Sequence, residues 1–431
     1  MCAFYKQPDS DTELRSSSKG LLRGSCFGYD MQAMITGPHM NGVRYCAVLI
    51  LTMLAACGGR SYVYQPLEGA DLVARAEKQV AGDVTVFASV LGAEEAEAIF
   101  GVPLYKYDIQ PVWIKVENGT GGRLRYAPVG TDRFYFSPLE VAWKNRGGFS
   151  KDGKQQMQRR FHQLTMERYI PPGESRSGFV FTNLRPGAKG FNVDLFGLEQ
   201  FHYFTFLLRV PGFVPDYANV DFASIYAPAE LVNHDEAGFR GALADLSCCG
   251  GNTATDTDGY PINVVMIGKG ADLLYALLRA NWLETSKNDA SVTGDSYLYG
   301  RPQDGIFRYG GVLDYGYYEL RLWLAPMRLD GQLVWLGQLK RVTDHRWIIT
   351  RADPDVDNAR NFMLQNLWYS QSLPKFGWIS GTEVVPVESL WLSFQPEPYF
   401  TDGYRGVFWV SGKPVSLLET ESADWDVPPF D

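Results

Sequence analysis

A short polar loop and four arginines form the part of the sequence best suited to binding an anion. The loop, residues 301–304, reads Arg-Pro-Gln-Asp and is flanked by aromatic residues. Planar guanidinium groups bind carboxylates and phosphates through paired hydrogen bonds, so arginines that converge make an anion site. The ligand-binding candidates are Arg301, Gln303, Arg321, Arg351 and Arg360. The alternative is structural, with Arg301 or Arg321 in salt bridges to Asp304 or Asp355 that fasten the loop to a helix.

The histidines suggest a second candidate site, of a catalytic kind. Four histidines follow residue 57, and none lies in a His-x-His or His-x-x-x-His pattern that would suit a metal ion. His345 follows Asp344, and a neighbouring carboxylate can tune a histidine as a general base. The catalytic candidates are therefore His345, Asp344 and Asp304. The alternative for His345 is a partly exposed histidine at the end of a strand.

The acidic segment 353–357, Asp-Pro-Asp-Val-Asp, only partly matches a calcium-binding loop. Such a loop needs glycine at its sixth position and an acidic residue at its twelfth, which is Leu364 here. We predict instead that Asp355 or Asp357 caps a helix, because a carboxylate accepts hydrogen bonds from the free N–H groups of a first turn. The sequence contains no phosphate-binding loop and no nucleophile elbow, so it predicts neither a metal site nor a cofactor.

Charge and cysteine content narrow the class of protein further. The formal net charge is -9, which does not suit a protein that binds nucleic acid. Aromatic residues make up 14% of the chain, an enrichment that favours strands. Cys248 and Cys249 are adjacent, and such a pair can close a small strained ring but fits ordinary disulfide geometry badly. We expect neither a disulfide framework nor a zinc site.

Residues 40–56 have the three parts of a secretory signal peptide. Arg44 supplies a positive charge, and residues 46–56 form an apolar run too short to span a bilayer. The tetrad Leu-Ala-Ala-Cys at 54–57 resembles the lipobox that lipoprotein signal peptidase cleaves, so Cys57 is the predicted lipidation site. The alternatives are a buried core helix and an ordinary cleaved signal.

A lipobox at Cys57 implies an address and a start for the mature chain. Residues 1–39 would be an artefactual or unstructured extension, with translation beginning at Met40. Gly58 stands where an aspartate would retain a lipoprotein at the inner membrane of a Gram-negative cell. The resemblance therefore implies the outer membrane, facing the periplasm. Acyl chains anchor a protein firmly because each buried methylene contributes about 0.8 kcal/mol.

The first half of the chain after Cys57 has the pattern of a β-sandwich. Residues 57–83 are expected to be a lipid-anchored tether that leads into a short helix. Between 84 and 215, alternating apolar residues and Gly/Pro turn clusters predict several short strands, as in an immunoglobulin-like β-sandwich. Residues 216–257 are less regular and are expected to connect two domains.

The second half predicts the order β-α-β-β-α-β, which is that of a ferredoxin-like split βαβ unit. The segments are a strand at 262–267, a helix at 271–282, two strands joined at Asp330 and Gly331, and a helix at 357–370. We place this domain at 258–380. Residues 381–431 are expected to add strands and an acidic tail. The predicted fold class is therefore α+β.

Ordered motifs in residues 256–375 resemble the LssY C-terminal domain family. They are Pro-Ile-Asn-Val-Val-Met-Ile-Gly at 261–268, Gly-Arg-Pro-Gln-Asp at 300–304 with Phe307, Leu-Arg-Leu-Trp at 320–323 with Pro326, Trp-Leu-Gly at 335–337, and the acidic segment 353–357 with Arg360. The resemblance implies an envelope or membrane protein whose domain has no assigned activity, sometimes fused to a lipid-phosphatase module. This sequence lacks the Ser-Gly-His stretch of that module. It also has Tyr318 and Glu319 where the family often has a histidine.

These features predict an envelope protein of unassigned activity that binds or scaffolds. The alternative is an envelope hydrolase for a phosphate-, lipid- or glycan-containing substrate, which would gather His345, Asp344, Asp304 and Arg301 in one pocket. A third possibility, lipid or glycan binding, predicts an open apolar or aromatic groove between the domains. The expected partners are the membrane, through the lipid anchor, and an envelope protein, lipid or glycan. No nucleic acid and no cofactor are expected.

Overall fold

The fold of this chain is mixed α+β. A computed structural model describes residues 59–67, 70–185, 187–198, 200–212, 214–254, 259–285, 294–310, 316–345, 348–391 and 398–428. The helices of this part are α1 (Ala70–Arg75), α2 (Ala93–Phe100), α3 (Pro128–Thr131), α4 (Pro138–Asn145), α5 (Lys151–Leu164), α6 (Glu236–Ala244), α7 (Gly270–Arg279) and α8 (Val356–Tyr369). None of the described helices is long and apolar enough to span a membrane.

The strands fall into two groups along the described chain. The first group is β1 (Glu77–Ala81), β2 (Val84–Val90), β3 (Ile109–Asn118), β4 (Leu124–Ala127), β5 (Tyr169–Ile170), β6 (Ser175–Asn183), β7 (Ala188–Phe196) and β8 (Phe201–Arg209). The second group is β9 (Val232–His234), β10 (Val264–Ile267), β11 (Leu283–Thr285), β12 (Tyr297–Leu298), β13 (Arg301–Pro302), β14 (Gly305–Tyr309), β15 (Tyr317–Leu329), β16 (Gln332–His345), β17 (Ile348–Ala352), β18 (Lys375–Ser380), β19 (Tyr404–Trp409) and β20 (Glu421–Ser422).

Two antiparallel four-stranded sheets pack face to face in the N-terminal half. The first sheet has the strand order β1-β2-β3-β6 and the second the order β5-β4-β7-β8. Val86 and Ile114 of the first sheet and Val193 of the second are fully buried in their shared core. Because successive residues of a strand point to opposite faces, the alternating apolar residues of β2 and β7 produce one buried face each.

Helices cover the other face of the first sheet and make a third layer. Phe100 of α2 and Phe161 of α5 stack with ring centroids 5.0 Å apart, and Phe100 meets Phe179 of β6 edge to face. The sequence predicts several short strands between 84 and 215 and a short helix at 94–100, which corresponds to α2, but it does not predict α4 or α5. The reason is composition, because α5 is rich in Lys, Arg and Gln and shows only a narrow apolar stripe.

The predicted tether at 57–83 belongs to the folded domain wherever it is described. Strand β1 pairs with β2 along its whole length. Tyr62 is 5% exposed, and its hydroxyl donates a hydrogen bond to the Phe100 backbone oxygen at 2.6 Å. The first sheet therefore begins at Glu77, earlier than the predicted boundary at 84, because a five-residue strand is long enough to pair but too short to show periodicity.

The C-terminal half is built on one large sheet. Its strand order is β11-β14-β15-β16-β10-β19-β18-β20, with β9 also paired to β15 and β17 also paired to β16. Helices α7 and α8 pack on one face, where Leu277 and Met363 are fully buried. Helix α6 packs on the opposite face through Phe239 and Leu243. Helix α6 and strand β9 lie in the predicted connector 216–257, so much of that segment belongs to this half.

Strand β19 occupies the interior of this sheet. It pairs in parallel with β10 and antiparallel with β18. Its residues lie in the segment 381–431, which was expected to add strands beyond the domain, so the predicted end of the domain at 380 is too early. The hydrogen bonds that place a strand within a sheet are non-local, and residue periodicity carries no information about them.

Two local features concern the turn and the cysteines that the sequence singled out. Strands β15 and β16 are joined at Asp330 and Gly331, whose φ angles of 48° and 78° are both positive, as a two-residue hairpin turn of type I′ requires. The predicted hairpin is confirmed.

Cys248 and Cys249 are joined by a disulfide bond, and the Tyr399 hydroxyl lies 3.4 Å from Cys249 Sγ.

Candidate functional site

Arg301 and Asp304, two of the predicted site residues, bind each other. A salt bridge joins their side chains, and Arg301 also donates hydrogen bonds to the Leu324 backbone oxygen at 2.6 Å and to the Tyr226 hydroxyl at 3.2 Å. The other carboxylate oxygen of Asp304 accepts a hydrogen bond from the Leu324 N–H at 2.7 Å. These contacts agree with the alternative prediction, in which Arg301 has a structural role. They fasten the loop to strand β15, whereas the prediction was a helix.

Gln303 closes the same loop through its side chain. Its side-chain oxygen accepts a hydrogen bond from the Ser296 N–H at 2.8 Å. Its side-chain nitrogen donates to the Asp295 carboxylate, also at 2.8 Å. Both ends of the carboxamide are therefore bonded within the chain, and Gln303 holds the loop in shape.

Arg321 and Arg360 lie in two separate buried ion clusters. Arg321 is 2.9 Å from the carboxylate of Glu319, which is 1% exposed. Arg360 binds Asp402 through two parallel hydrogen bonds of 2.8 Å and lies 3.1 Å from Asp357. Each guanidinium has its own carboxylate, so the structure does not bring Arg301, Arg321 and Arg360 together on one ligand.

Several predicted residues lie outside what the structure describes, and one predicted role is confirmed. The side chains of Asp344, His345 and Arg351 lie outside the described part, as does all of Cys57. Asp355 is the N-cap of α8, and its carboxylate accepts a hydrogen bond from the Asn358 N–H at 2.9 Å. The predicted helix cap is therefore present. Among the described residues, no cluster of His, Cys, Asp and Glu could hold a metal ion.

A cleft of about 850 Å³ lies between the second sheet of the N-terminal half and helices α7 and α8. We call it the interdomain cleft. Its described lining has four basic side chains, Arg133, Arg185, Lys189 and Arg279, and one acidic side chain, Asp132. The chain as a whole is acidic, with a net charge of -9. A concave surface with a surplus of positive charge concentrates anions from solution.

Asp132 and Lys189 lie together at the N-terminal wall of the cleft. Asp132 accepts hydrogen bonds from the backbone N–H groups of Asn183 at 2.8 Å and Phe134 at 2.9 Å. Lys189 donates to the Asn183 backbone oxygen at 2.6 Å, and its ammonium is 3.9 Å from Asp132. Backbone donors thus occupy Asp132, and no close ion pair compensates the buried ammonium. Burial lowers the pKa of Lys189 to about 7, although the Asp132 charge opposes this shift.

Arg185 and Arg279 are two further cations of the cleft, and neither has a carboxylate in salt-bridge contact among the described residues. Arg185 donates a hydrogen bond to the side-chain oxygen of Asn281, across the two halves. Arg279, in the last turn of α7, donates to the backbone oxygens of Ser411 and Gly412. Burial lowers the pKa of both arginines, that of Arg279 to about 10. Arginine side chains stay protonated in proteins, so both guanidinium groups can bind an anionic ligand.

Besides its charged residues, the cleft is lined by six aromatic side chains and five carboxamides. Phe362 of α8 stacks on Tyr318 with ring centroids 3.9 Å apart, and Tyr309 meets Phe362 edge to face at 5.0 Å. These contacts hold the aromatic wall in a fixed position. The aromatic lining residues are Phe134, Phe191, Tyr275, Tyr309, Phe362 and Tyr369, and the carboxamides are Asn183, Asn192, Asn281, Gln365 and Asn366.

Glu284 of β11 joins the two halves beside the cleft. Its carboxylate is 3% exposed and accepts hydrogen bonds from the Ala188 N–H at 2.7 Å and from the Tyr217 hydroxyl. Burial raises the pKa of Glu284 against the effect of both hydrogen bonds. Gly190 approaches Leu278 so closely that an added Cβ would lie 3.0 Å from the leucine Cβ. The cleft walls are therefore connected through a packed and hydrogen-bonded junction.

Sequence reasoning missed every charged residue of the cleft, although β7 contained one signal. Lys189 shares a strand face with Phe191, Val193 and Leu195, which are buried. A lysine in the register of buried apolar residues is unusual, because an ammonium is seldom buried without a partner. That register identifies Lys189 from the sequence as a residue to examine, while the arginines leave no comparable pattern.

Comparisons with protein families and with curated proteins found no relative of this chain. No family model matches the chain, and no curated protein matches it either. The candidate function therefore depends on the interdomain cleft and on the sequence motifs.

Proposed function

We propose that this chain is a lipid-anchored envelope protein that binds an anionic saccharide in the interdomain cleft. The observation that carries the proposal is the charge of the cleft, where four basic side chains face one carboxylate in an acidic protein. Arginine binds carboxylates and phosphates through paired hydrogen bonds, and lysine binds them as a point charge. An anion in the cleft would pair with Arg185 and Arg279 and would add a second negative charge near Lys189, whose ammonium is 3.9 Å from Asp132.

A saccharide suits the rest of the lining better than a simple ion or a lipid chain. A sugar ring has apolar faces that pack on aromatic rings and hydroxyl groups that pair with carboxamides, which both donate and accept. The cleft offers six aromatic side chains and five carboxamides beside its cations. Its volume of about 850 Å³ falls within the usual range of ligand sites, roughly 300–1,000 Å³. A lipid chain would require a wall without so many polar groups.

The envelope location rests on the N-terminal sequence. Residues 40–56 have the design of a signal peptide and lead into the lipobox-like tetrad that ends at Cys57. Gly58 favours the outer membrane, with the folded part facing the periplasm. A protein held there would meet the anionic saccharides of the envelope.

We also propose a relation between the two halves and known folds. The two antiparallel sheets on one core support an immunoglobulin-like origin for the N-terminal half, with the helical layer as an addition. The order β10-α7-β15-β16-α8-β18 supports a ferredoxin-like origin for the C-terminal half, with β19 inserted beside β10. The motifs at 261–268, 320–323 and 335–337, which resemble the LssY C-terminal domain, lie in or beside the central strands of this sheet.

Binding is favoured over hydrolysis by the contacts of the catalytic candidates. Asp304 is bonded to Arg301 and to the Leu324 N–H, and neither Asp304 nor Arg301 lines the cleft. A general base needs a free lone pair directed at a substrate or at water. Asp304 has its oxygens engaged in holding the loop. The hydrolase remains the alternative function, with Asp344 and His345 as its residues.

A pair of matched ligands tests the proposed function. The probe is a trisaccharide of galacturonic acid, and its control is the methyl ester of the same trisaccharide, which has the same rings without the charges. Isothermal titration of the full chain should give saturable binding of the acid and at least about tenfold weaker binding of the ester. Equal affinity for both would contradict an anion site, and no binding of either would contradict a saccharide site of this type.

A further inference from the structure

Helix α4 exposes large apolar side chains on its outer face. Leu139 is 50% exposed and Trp143 is 52% exposed. They are four residues apart, so they are neighbours on one side of the helix. Val141 on the opposite side and Ala142 beside it are buried in the core under the first sheet. Helix α4 is therefore apolar on its buried side and also presents a tryptophan and a leucine outward, on a surface that the described residues leave exposed.

The segment that contains Leu139 and Trp143 is basic. Residues 138–164, which contain α4 and α5, have six basic side chains and two acidic ones in a chain of net charge -9. Lys144 and Arg146 are exposed next to the apolar pair, and the Arg146 guanidinium lies 5.1 Å from the centre of the Trp143 ring. The basic residues are Lys144, Arg146, Lys151, Lys154, Arg159 and Arg160, and the acidic residues are Glu140 and Asp152.

The described chain begins against the loop that follows α4. The Arg60 N–H donates to the Gly148 oxygen at 2.9 Å, and the Ser150 N–H donates to the Arg60 oxygen at 3.1 Å. Gly59 lies so close that an added Cβ would be 2.5 Å from the Ser150 nitrogen. Cys57 precedes Gly59 by two residues, and two residues of extended chain span at most about 7 Å. Acyl chains on Cys57 would therefore enter a bilayer within a short distance of this loop.

We propose that the outer face of α4 lies on the anionic phospholipid surface into which the acyl chains of Cys57 insert. This inference rests on the lipid anchor of the proposed function. Tryptophan is favoured at the level of the lipid headgroups, and basic side chains near an anionic leaflet are attracted to its phosphates. Leu139 and Trp143 would enter the headgroup region, with Lys144 and Arg146 beside the phosphates. The anchor and this face together would fix the orientation of the protein on the membrane.

Quenching of tryptophan fluorescence tests the proposed face on the acylated full chain. The protein is reconstituted into vesicles of phosphatidylethanolamine and phosphatidylglycerol, with and without bromine on the acyl chains. The emission of Trp143 is obtained as the difference between the wild type and Trp143→Phe. The control is Trp368→Phe, because Trp368 is also exposed, at 37%, but lies on α8. Brominated lipid should remove the Trp143 emission and spare that of Trp368, and equal emission losses would overturn the proposal.

A mass measurement separates failure of the face from failure of the anchor. If Cys57 is acylated but the emission of Trp143 is not quenched, the proposed membrane contact of α4 is wrong and the lipid anchor is retained. If Cys57 carries no acyl chain, the full chain is floated with the same vesicles. Binding that falls about tenfold in Lys144→Gln/Arg146→Gln, and stays unchanged in the exposed pair Arg123→Gln/Lys413→Gln, would support the face alone. Absence of flotation in that case would overturn the face as well as the anchor.

Discussion

The ammonium of Lys189 lies 3.9 Å from the carboxylate of Asp132 while it donates to the Asn183 backbone oxygen at 2.6 Å. The carboxylate is bonded to backbone N–H groups of Asn183 and Phe134 instead. A buried cation held by a carbonyl dipole is stabilised less than one in a close ion pair. The interdomain cleft therefore contains a charge that an anionic ligand can stabilise.

Lys189 should make the stability of the free protein depend on pH above neutrality. Its pKa falls from 10.5 to about 7 on folding, so folding favours the uncharged amine. The associated stability is fully present above pH 10.5 and is lost as pH falls through 7. Each pKa unit corresponds to about 1.4 kcal/mol, so the contribution changes by several kcal/mol over this range. Urea unfolding of the wild type and Lys189→Met should show the Met variant gaining relative stability as pH falls from 10 to 6.

The matched control for Lys189→Met is Lys154→Met, which replaces an exposed lysine of α5. Its free energy of unfolding should stay parallel to that of the wild type between pH 6 and 10. Parallel curves for Lys189→Met as well would show that the lysine keeps an ordinary pKa in the folded protein.

Glu284 should be a main determinant of the junction between the two halves. In Glu284→Ala, the Ala188 N–H and the Tyr217 hydroxyl both lose a buried acceptor, and we expect a loss of about 3 kcal/mol. Glu284→Gln keeps an acceptor for Ala188 without the buried charge. Burial raises the pKa of Glu284, so its contribution to stability is greatest at low pH and is lost as pH rises through the folded pKa. Calorimetry should therefore show the stability of Glu284→Gln rising relative to that of the wild type between pH 4 and 8. Equal losses of stability in Glu284→Ala and Glu284→Gln would contradict this role of the Glu284 carboxylate.

Arg405 should tolerate no replacement by lysine. It is fully buried in β19, and all its hydrogen bonds to described residues go to backbone oxygens, those of Ile262, Leu243, Leu246, Ser247 and Gly381. An ammonium has three donors in place of five, so Arg405→Lys leaves buried acceptors unpaired and should cost about 3 kcal/mol. Arg240→Lys, at a partly exposed ion pair with Asp426, should cost under about 1 kcal/mol in the same urea titration. Similar losses at both positions would contradict a special role for Arg405.

The parts of the fold that the sequence predicted are those governed by local pattern. The predicted helices at 271–282 and 357–370 correspond to α7 (Gly270–Arg279) and α8 (Val356–Tyr369). Both helices were predicted from their apolar positions, and the acidic segment before α8 predicted a cap at Asp355 or Asp357. Asp330 and Gly331 specified the hairpin through their tolerance of positive φ.

The parts that the sequence did not predict depend on contacts between distant segments. Strand β19 enters the sheet by pairing with β10, which precedes it by more than a hundred residues. The cleft combines Lys189 of β7 with Arg279 of α7 and with residues of α8, so it exists only once the two halves are packed. The ion pairs of Arg321 with Glu319 and of Arg360 with Asp402 were not predicted for a related reason, because the fold brings each pair together.

The most direct test of the anionic cleft is the dissociation constant of the galacturonic acid trisaccharide for Arg133→Gln. Arg133 is exposed in the cleft lining, so its replacement removes a charge from the site with little effect on folding. The matched control is Arg159→Gln, which removes the same charge from the exposed surface of α5. The proposed function predicts a dissociation constant about tenfold higher for Arg133→Gln and an unchanged one for Arg159→Gln. Equal dissociation constants for the two variants would contradict binding of the anion in the interdomain cleft.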